Sequence, residues 1–141
     1  MTSLTSNLKS VPDFLSDHVT SDEVIILVMS PSTKTKPFKN GTFARLQKWC
    51  DHVELKAFDF HNIIPDIANG CTIDQVDVEK LLQSVRGKVK IVALGGLVSK
   101  VCYKYGISHY KIDHPSPRNR NLNDPEYELY MLEKLRKYLN D

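Results

Sequence analysis

Apolar and polar positions alternate in blocks along this chain, and the blocks differ in period. Val24-Ile25-Ile26-Leu27-Val28-Met29 is an unbroken apolar run, mostly β-branched, halted by Ser30-Pro31-Ser32. Such a run, bounded by a turn signal, predicts a strand buried on both faces, as in a parallel sheet covered by helices. Lys90–Leu94 predicts a second strand of that kind, ending in Gly95-Gly96. Val53–Phe60 partly alternates and reads as another strand, and His109–Ile112 as a short last one. Helical spacing fills the gaps. Phe43, Leu46, Trp49 and Cys50 predict a helix over about residues 42–51, and Val76, Leu81, Leu82 and Val85 one over about 74–85, ended by Arg86-Gly87. Leu97, Val101 and Cys102 mark a third helix that stops near Tyr105-Gly106. Asp124 caps a fourth with Pro125 at its first position, and Tyr127, Tyr130, Met131, Leu135 and Tyr138 form its apolar stripe. The polar first 23 residues predict a loose start with a short helix over 12–18.

The resulting β-α-β-α-β-α-β-α order predicts a three-layer α/β fold: a four-stranded, mostly parallel sheet with helices on both faces. At 141 residues one domain is the expectation. No repeat is present, and no apolar run reaches the length of a membrane span. Nineteen basic against seventeen acidic residues leave a formal charge of +2, which argues against coating of nucleic acid by the whole surface. Cys50, Cys71 and Cys102 are scattered, without a Cys-x-x-Cys pair, so buried thiols in a reducing, intracellular compartment are expected rather than a disulfide frame or a metal site.

In open α/β sheets ligands bind beyond the carboxyl ends of the strands. Here every predicted strand end carries an unusual polar loop: Ser30-Pro31-Ser32, His61-Asn62, Gly95-Gly96 and His114-Pro115-Ser116-Pro117. Any one of them could be simple turn punctuation; four together favour a site. Their order and wording resemble the uracil-DNA glycosylase superfamily. The first strand ends in a short motif with a proline, Met29-Ser30-Pro31-Ser32, and the fourth in an intact His-Pro-Ser-Pro, His114 to Pro117. Pro37-Phe38-Lys39-Asn40-Gly41 is similar to the Pro-Phe-x-x-x-x-Gly stretch of the iron–sulfur branch, with the glycine displaced. Phe60-His61-Asn62-Ile63-Ile64 resembles its Thr-Asn-Val-Val segment, and Ile91–Gly95 its Val-x-Leu-Gly lead into a helix. The likeness covers residues 24–120.

The resemblance implies base excision from DNA. Phe38 would stack on a flipped base, Asn62 would read the pyrimidine edge with its amide, and Met29 would join them in the base pocket. His114 would donate a hydrogen bond to the charge growing on base O2. Ser116, Arg118, Arg120 and Lys39 would hold the DNA backbone, with Lys34 and Lys36 on the same rim. Bland alternatives stand beside each role: a satellite core for Phe38, a turn cap for Asn62, solvated charge for Arg120. The sequence departs from the family in two places. Where branches carry Asp or Asn before the proline, or Glu one place earlier, this chain has Ser30 and Met29, so Ser30 is left to hold the attacking water. The cysteines lack the spacing of a cluster, so no metal or other cofactor is expected. Two outcomes follow: a glycosylase for uracil or a related pyrimidine, or a non-catalytic DNA- or modified-base-binding protein that keeps the pocket. A nucleotide-handling α/β enzyme is disfavoured by the lack of Gly-x-x-x-x-Gly-Lys-[Ser/Thr] and Gly-x-Gly-x-x-Gly. The expected partner is DNA, single-stranded or with a flipped base, and the expected state a monomer without membrane contact. The small size suits a virus-encoded or otherwise minimal member.

Overall fold

A computed structural model describes residues 23–29, 41–64, 73–115 and 120–141. Four strands, β1 (Val24–Val28), β2 (Asp59–Asn62), β3 (Lys90–Leu94) and β4 (Tyr110–Ile112), form one sheet in the order β2-β1-β3-β4. Every pairing is parallel, so the sheet is wholly rather than mostly parallel. Between and after the strands lie four α-helices among the described residues: α1 (Gly41–His52), α2 (Val78–Val85), α3 (Gly96–Lys104) and α4 (Pro125–Asn140). The predicted short helix over 12–18 falls outside the described residues.

Alternation along the strands divides the core in two. Ile26, Val28, Phe60, Val92, Leu94 and Ile112 face Leu46, Trp49 and Cys50 of α1 and Met131, Leu132 and Leu135 of α4. Ile25, Leu27, Ile91 and Ala93 face Leu81 of α2 and Val98, Val101 and Cys102 of α3. Helices therefore cover both faces, which is why β1 and β3 read as continuous apolar runs. The faces also follow from connection handedness. The chain moves one way from β1 to β2 with α1 on one face. It moves the other way through β3 to β4 with α2 and α3 on the opposite face, as right-handed crossovers require.

Local signals explain most helix ends. The Asp124 side chain accepts from the Glu126 amide at 3.0 Å, with Pro125 opening α4. Gly87 and Gly106 take positive φ just past α2 and α3. The α2 start differs from expectation: residues 73–75 form a 3-10 turn, and Asp77 caps the helix by accepting from the Lys80 amide at 3.1 Å. The expected strand over Val53–Phe60 is shorter than its sequence pattern. Glu54 has φ 60°, its amide donates to the Asp51 carbonyl and that of Leu55 to Cys50, closing α1 with a Schellman turn. Val53 and Leu55 thus owe their apolar character to capping contacts with the α1 side of the core; Ala57 makes an isolated bridge, and the continuous ladder with β1 begins at Asp59. Two stripe assignments also change. Tyr130 and Leu82 are exposed, whereas Leu132 and Val98, adjacent to expected positions, are buried.

Cys50 and Cys102 are buried free thiols, and burial pushes them up to about 12 and about 11 respectively. At neutral pH neither presents a thiolate. Cys71 lies outside the described residues. No described helix is long and apolar enough to cross a membrane.

Candidate functional site at the carboxyl edge of the sheet

Register brings the four strand ends level. Val28 pairs with Asn62, Leu27 with Ala93, and Leu94 with Ile112. Met29, Asn62, Gly95 and His114 therefore stand along one edge. Because the chain leaves β1 and β3 in opposite directions, the crevice between those two ends is the topological switch point where open α/β sheets bind ligands. Met29, half-buried against the α2/α3 side of the core, and Gly95 stand at that point.

Asn62 and His114 flank it from the two outer strands. Three strand spacings separate β2 from β4, about 14 Å of backbone. Asn62 projects to the same face as its register partner Val28, and its Oδ1 is buried with no hydrogen-bond partner among the described residues. An unsatisfied buried acceptor costs about 1–3 kcal/mol, so this oxygen does not stabilise the fold.

His114 owes its position to Gly95. That glycine has φ +90°, and its amide donates to the Ile112 carbonyl at 2.9 Å, tying the ends of β3 and β4 together. A Cβ at Gly95 would lie 3.3 Å from the His114 Cβ, tighter than side chains normally tolerate. Gly95 is therefore needed twice, for its backbone and for the ring resting on it. Burial pulls the His114 imidazole below its usual 6.5, so it is neutral at pH 7. The preceding residue is braced as well. The Tyr127 hydroxyl donates to Asp113 Oδ1 at 2.7 Å, and Asn121 Nδ2 donates to Oδ2 at 3.4 Å. The bond to Asp113, then burial, then the carboxylate charge push the Tyr127 phenol up.

Of the other residues singled out from sequence, Arg120 is exposed in the 3-10 turn over Arg120–Asn123 that precedes α4. Ser30, Phe38, Lys39, Ser116 and Arg118, with Lys34 and Lys36, lie outside the described residues. Among the described residues no cluster of His, Cys, Asp and Glu could hold a metal ion. Two residues at this edge are not singled out by the sequence. Tyr127 reads as one more aromatic in a helix stripe, and nothing local marks its bond to Asp113. His61 is visible only as the neighbour of Asn62. It faces the α2 side, beside Leu27, with Nε2 buried and unpartnered among the described residues. Burial pulls its pKa down, Asp77 pushes it up, and Lys80 pulls it down.

Both depressed histidines couple stability to pH. Unfolded, each takes up a proton near 6.5; folded, each resists until a lower pH. Their contribution is therefore fully present above about 6.5 and is lost as pH falls through the folded values. Thermal unfolding followed by circular dichroism should show Tm falling below that pH. His61→Gln should flatten the fall, and a wild-type Tm that is level across the range would contradict the assignment.

Compared with models of known protein families, the chain matches none, and no curated protein or solved structure matches it either.

Proposed function

We propose that this chain is a DNA glycosylase that hydrolyses the N-glycosidic bond of uracil or a related modified pyrimidine on a nucleotide rotated out of the DNA stack. One observation supports the reading: a half-buried asparagine with a buried, unclaimed amide oxygen and a neutral imidazole flank the switch-point crevice of a parallel sheet. The motif order along the chain, with His114-Pro115-Ser116-Pro117 after β4, adds to it.

The chemistry asks for what these groups supply. Breaking the bond between C1′ and N1 leaves electrons on the base, and the charge appears at its O2. A neutral histidine N–H directed at that oxygen stabilises charge absent from the ground state, so it lowers the barrier rather than merely tightening binding. The Asn62 amide, with both donors and an acceptor, can pair with the O4/N3 edge of a pyrimidine. Water then adds to C1′, and the proton it releases neutralises the departing base. Phe38 would cover the face of the base and Ser30 would hold the water. Ser116, Arg118, Arg120 and Lys39 would grip the flanking phosphates. No metal or cofactor enters the scheme.

The test is a screen of purified protein on oligonucleotides that each carry one altered pyrimidine, in single strands and in mismatches. Alkali-labile abasic sites are the expected product. A lack of product from every member, with affinity still dependent on the altered base, would replace catalysis by base recognition alone. Asn62→Ala gives a second, sharper signature. It should leave Tm unchanged or raise it, because a buried unpaired acceptor is removed, while excision falls steeply. A variant that loses stability and keeps its rate would identify Asn62 as a structural residue.

A further inference from the structure

On the outer side of α3 an open groove of about 440 Å³ runs between the helix and the edge strand β4. Gly96, Ser99, Lys100, Tyr103 and Lys111 line it, and no carboxylate is among them. Lys100 and Lys111 are exposed and form no ion pair among the described residues. Tyr103 is 78% exposed, an unusual position for a large aromatic ring with no cover.

This ring is nevertheless held in place. It meets the His109 ring edge to face, with centroids 4.8 Å apart. His109 is fixed in turn. Its Nδ1 lies 2.9 Å from the Ile107 carbonyl, which can only accept, so Nδ1 carries the proton. In the neutral ring Nε2 then accepts from the Ser99 hydroxyl at 2.7 Å. Ser99 is only 4% exposed, so the chain of contacts runs from the helix core outward to an aromatic face open to solvent. An isolated edge-strand lysine is adequately explained by protection against sheet pairing. An oriented, uncovered aromatic ring between two unpaired lysines is not.

We infer that this groove binds a single DNA strand, with a base stacked on Tyr103 and phosphodiesters held by Lys100 and Lys111. A positively charged track with an aromatic platform is the general solution for gripping single strands without reading their sequence. The location supports the choice of occupant. The groove opens at Gly96, next to Gly95 and the His114 ring, so a strand lying in it leads to the carboxyl edge of the sheet. The inference rests on the glycosylase reading for what happens at that edge, and it makes the preferred substrate single-stranded.

Binding is measured by fluorescence anisotropy with a labelled oligothymidylate, which contains no excisable base, so chemistry plays no part in the readout. Tyr103→Ala should weaken binding about 5- to 100-fold, and Tyr103→Phe should retain it, since the ring face rather than the hydroxyl is used. The double variant Lys100→Glu, Lys111→Glu should reduce the slope of log affinity against log salt by about 1.4, near 0.7 for each phosphate no longer neutralised. His109→Ala should fall between wild type and Tyr103→Ala, because it frees the ring without removing it. All these positions are at the surface or beside it, and unchanged far-ultraviolet dichroism checks the fold. Affinity and salt slope both unaltered in the Tyr103→Ala and double-lysine variants would overturn the inference, even if the protein excises bases. Altered affinity without excision by wild type would uphold the groove and remove the glycosylase reading instead.

Discussion

On the proposed glycosylase reading, His114→Ala should slow base excision by about 10²–10³-fold while leaving affinity for uncleaved DNA within a small factor, the pattern of a group that acts only in the transition state. The ring's surroundings are the reason. His114 is half-buried, rests on Gly95, and is neutral because burial disfavours its charged form. On the glycosylase reading, a neutral donor would not cancel the charge of the departing base; it would direct one N–H at the oxygen where that charge collects. In a partly dry site this is worth more than the same contact in water. The substitution also has a low structural cost. Alanine keeps the Cβ that packs over Gly95, and the turn remains tied by Gly95 to Ile112 and by Tyr127 to Asp113. Single-turnover excision on the best substrate of the pyrimidine screen, with Tm measured in parallel, makes the check. A rate within threefold of wild type would exclude His114 from the chemistry.

What the sequence reveals and conceals has a physical pattern. Strands β1 and β3 are legible because both of their faces are covered, so nearly every residue is apolar and the turn residues that follow stand out. The α4 start is legible because Asp124 and Pro125 act within one turn of chain. The α1 end is not. Its left-handed residue is Glu54, where glycine would have signalled the cap, and the apolar residues of the Schellman turn imitate strand alternation. The candidate site divides in the same way. That Asn62 and His114 lie at strand ends follows from the alternation of elements. That Asn62 carries an unpaired buried acceptor, that His114 sits on Gly95, and that Tyr127 braces Asp113 are facts about distant segments meeting in space. No local pattern encodes them. The groove beside α3 is intermediate: Lys100, Tyr103 and Lys111 are plain in the sequence, but the His109 support that orients the ring requires the fold.

The largest loss of stability is expected at Trp49, with Trp49→Ala destabilising the fold by about 3–5 kcal/mol. Trp49 is 2% exposed and belongs to the core that α1 and α4 build with the sheet, together with Val28, Phe60 and Leu132. Its indole N–H donates to Glu128 Oε2 at 2.8 Å, and the same oxygen lies 3.6 Å from Arg45 Nε. Alanine removes the packing of the largest side chain on that face and opens a cavity. The carboxylate keeps Arg45 and access to water, so breaking the hydrogen bond adds little. For a domain of this size the expected fall in Tm is about 10–20 °C. Trp49→Phe separates the two parts: it retains most of the packing and loses the bond, so its Tm should fall by only a fraction of that amount. Circular dichroism is the readout, because Trp49 is the single tryptophan of the chain and its fluorescence disappears with it. Equal losses in the alanine and phenylalanine variants would mean that the bond to Glu128, not the packed core, fastens α1 to α4.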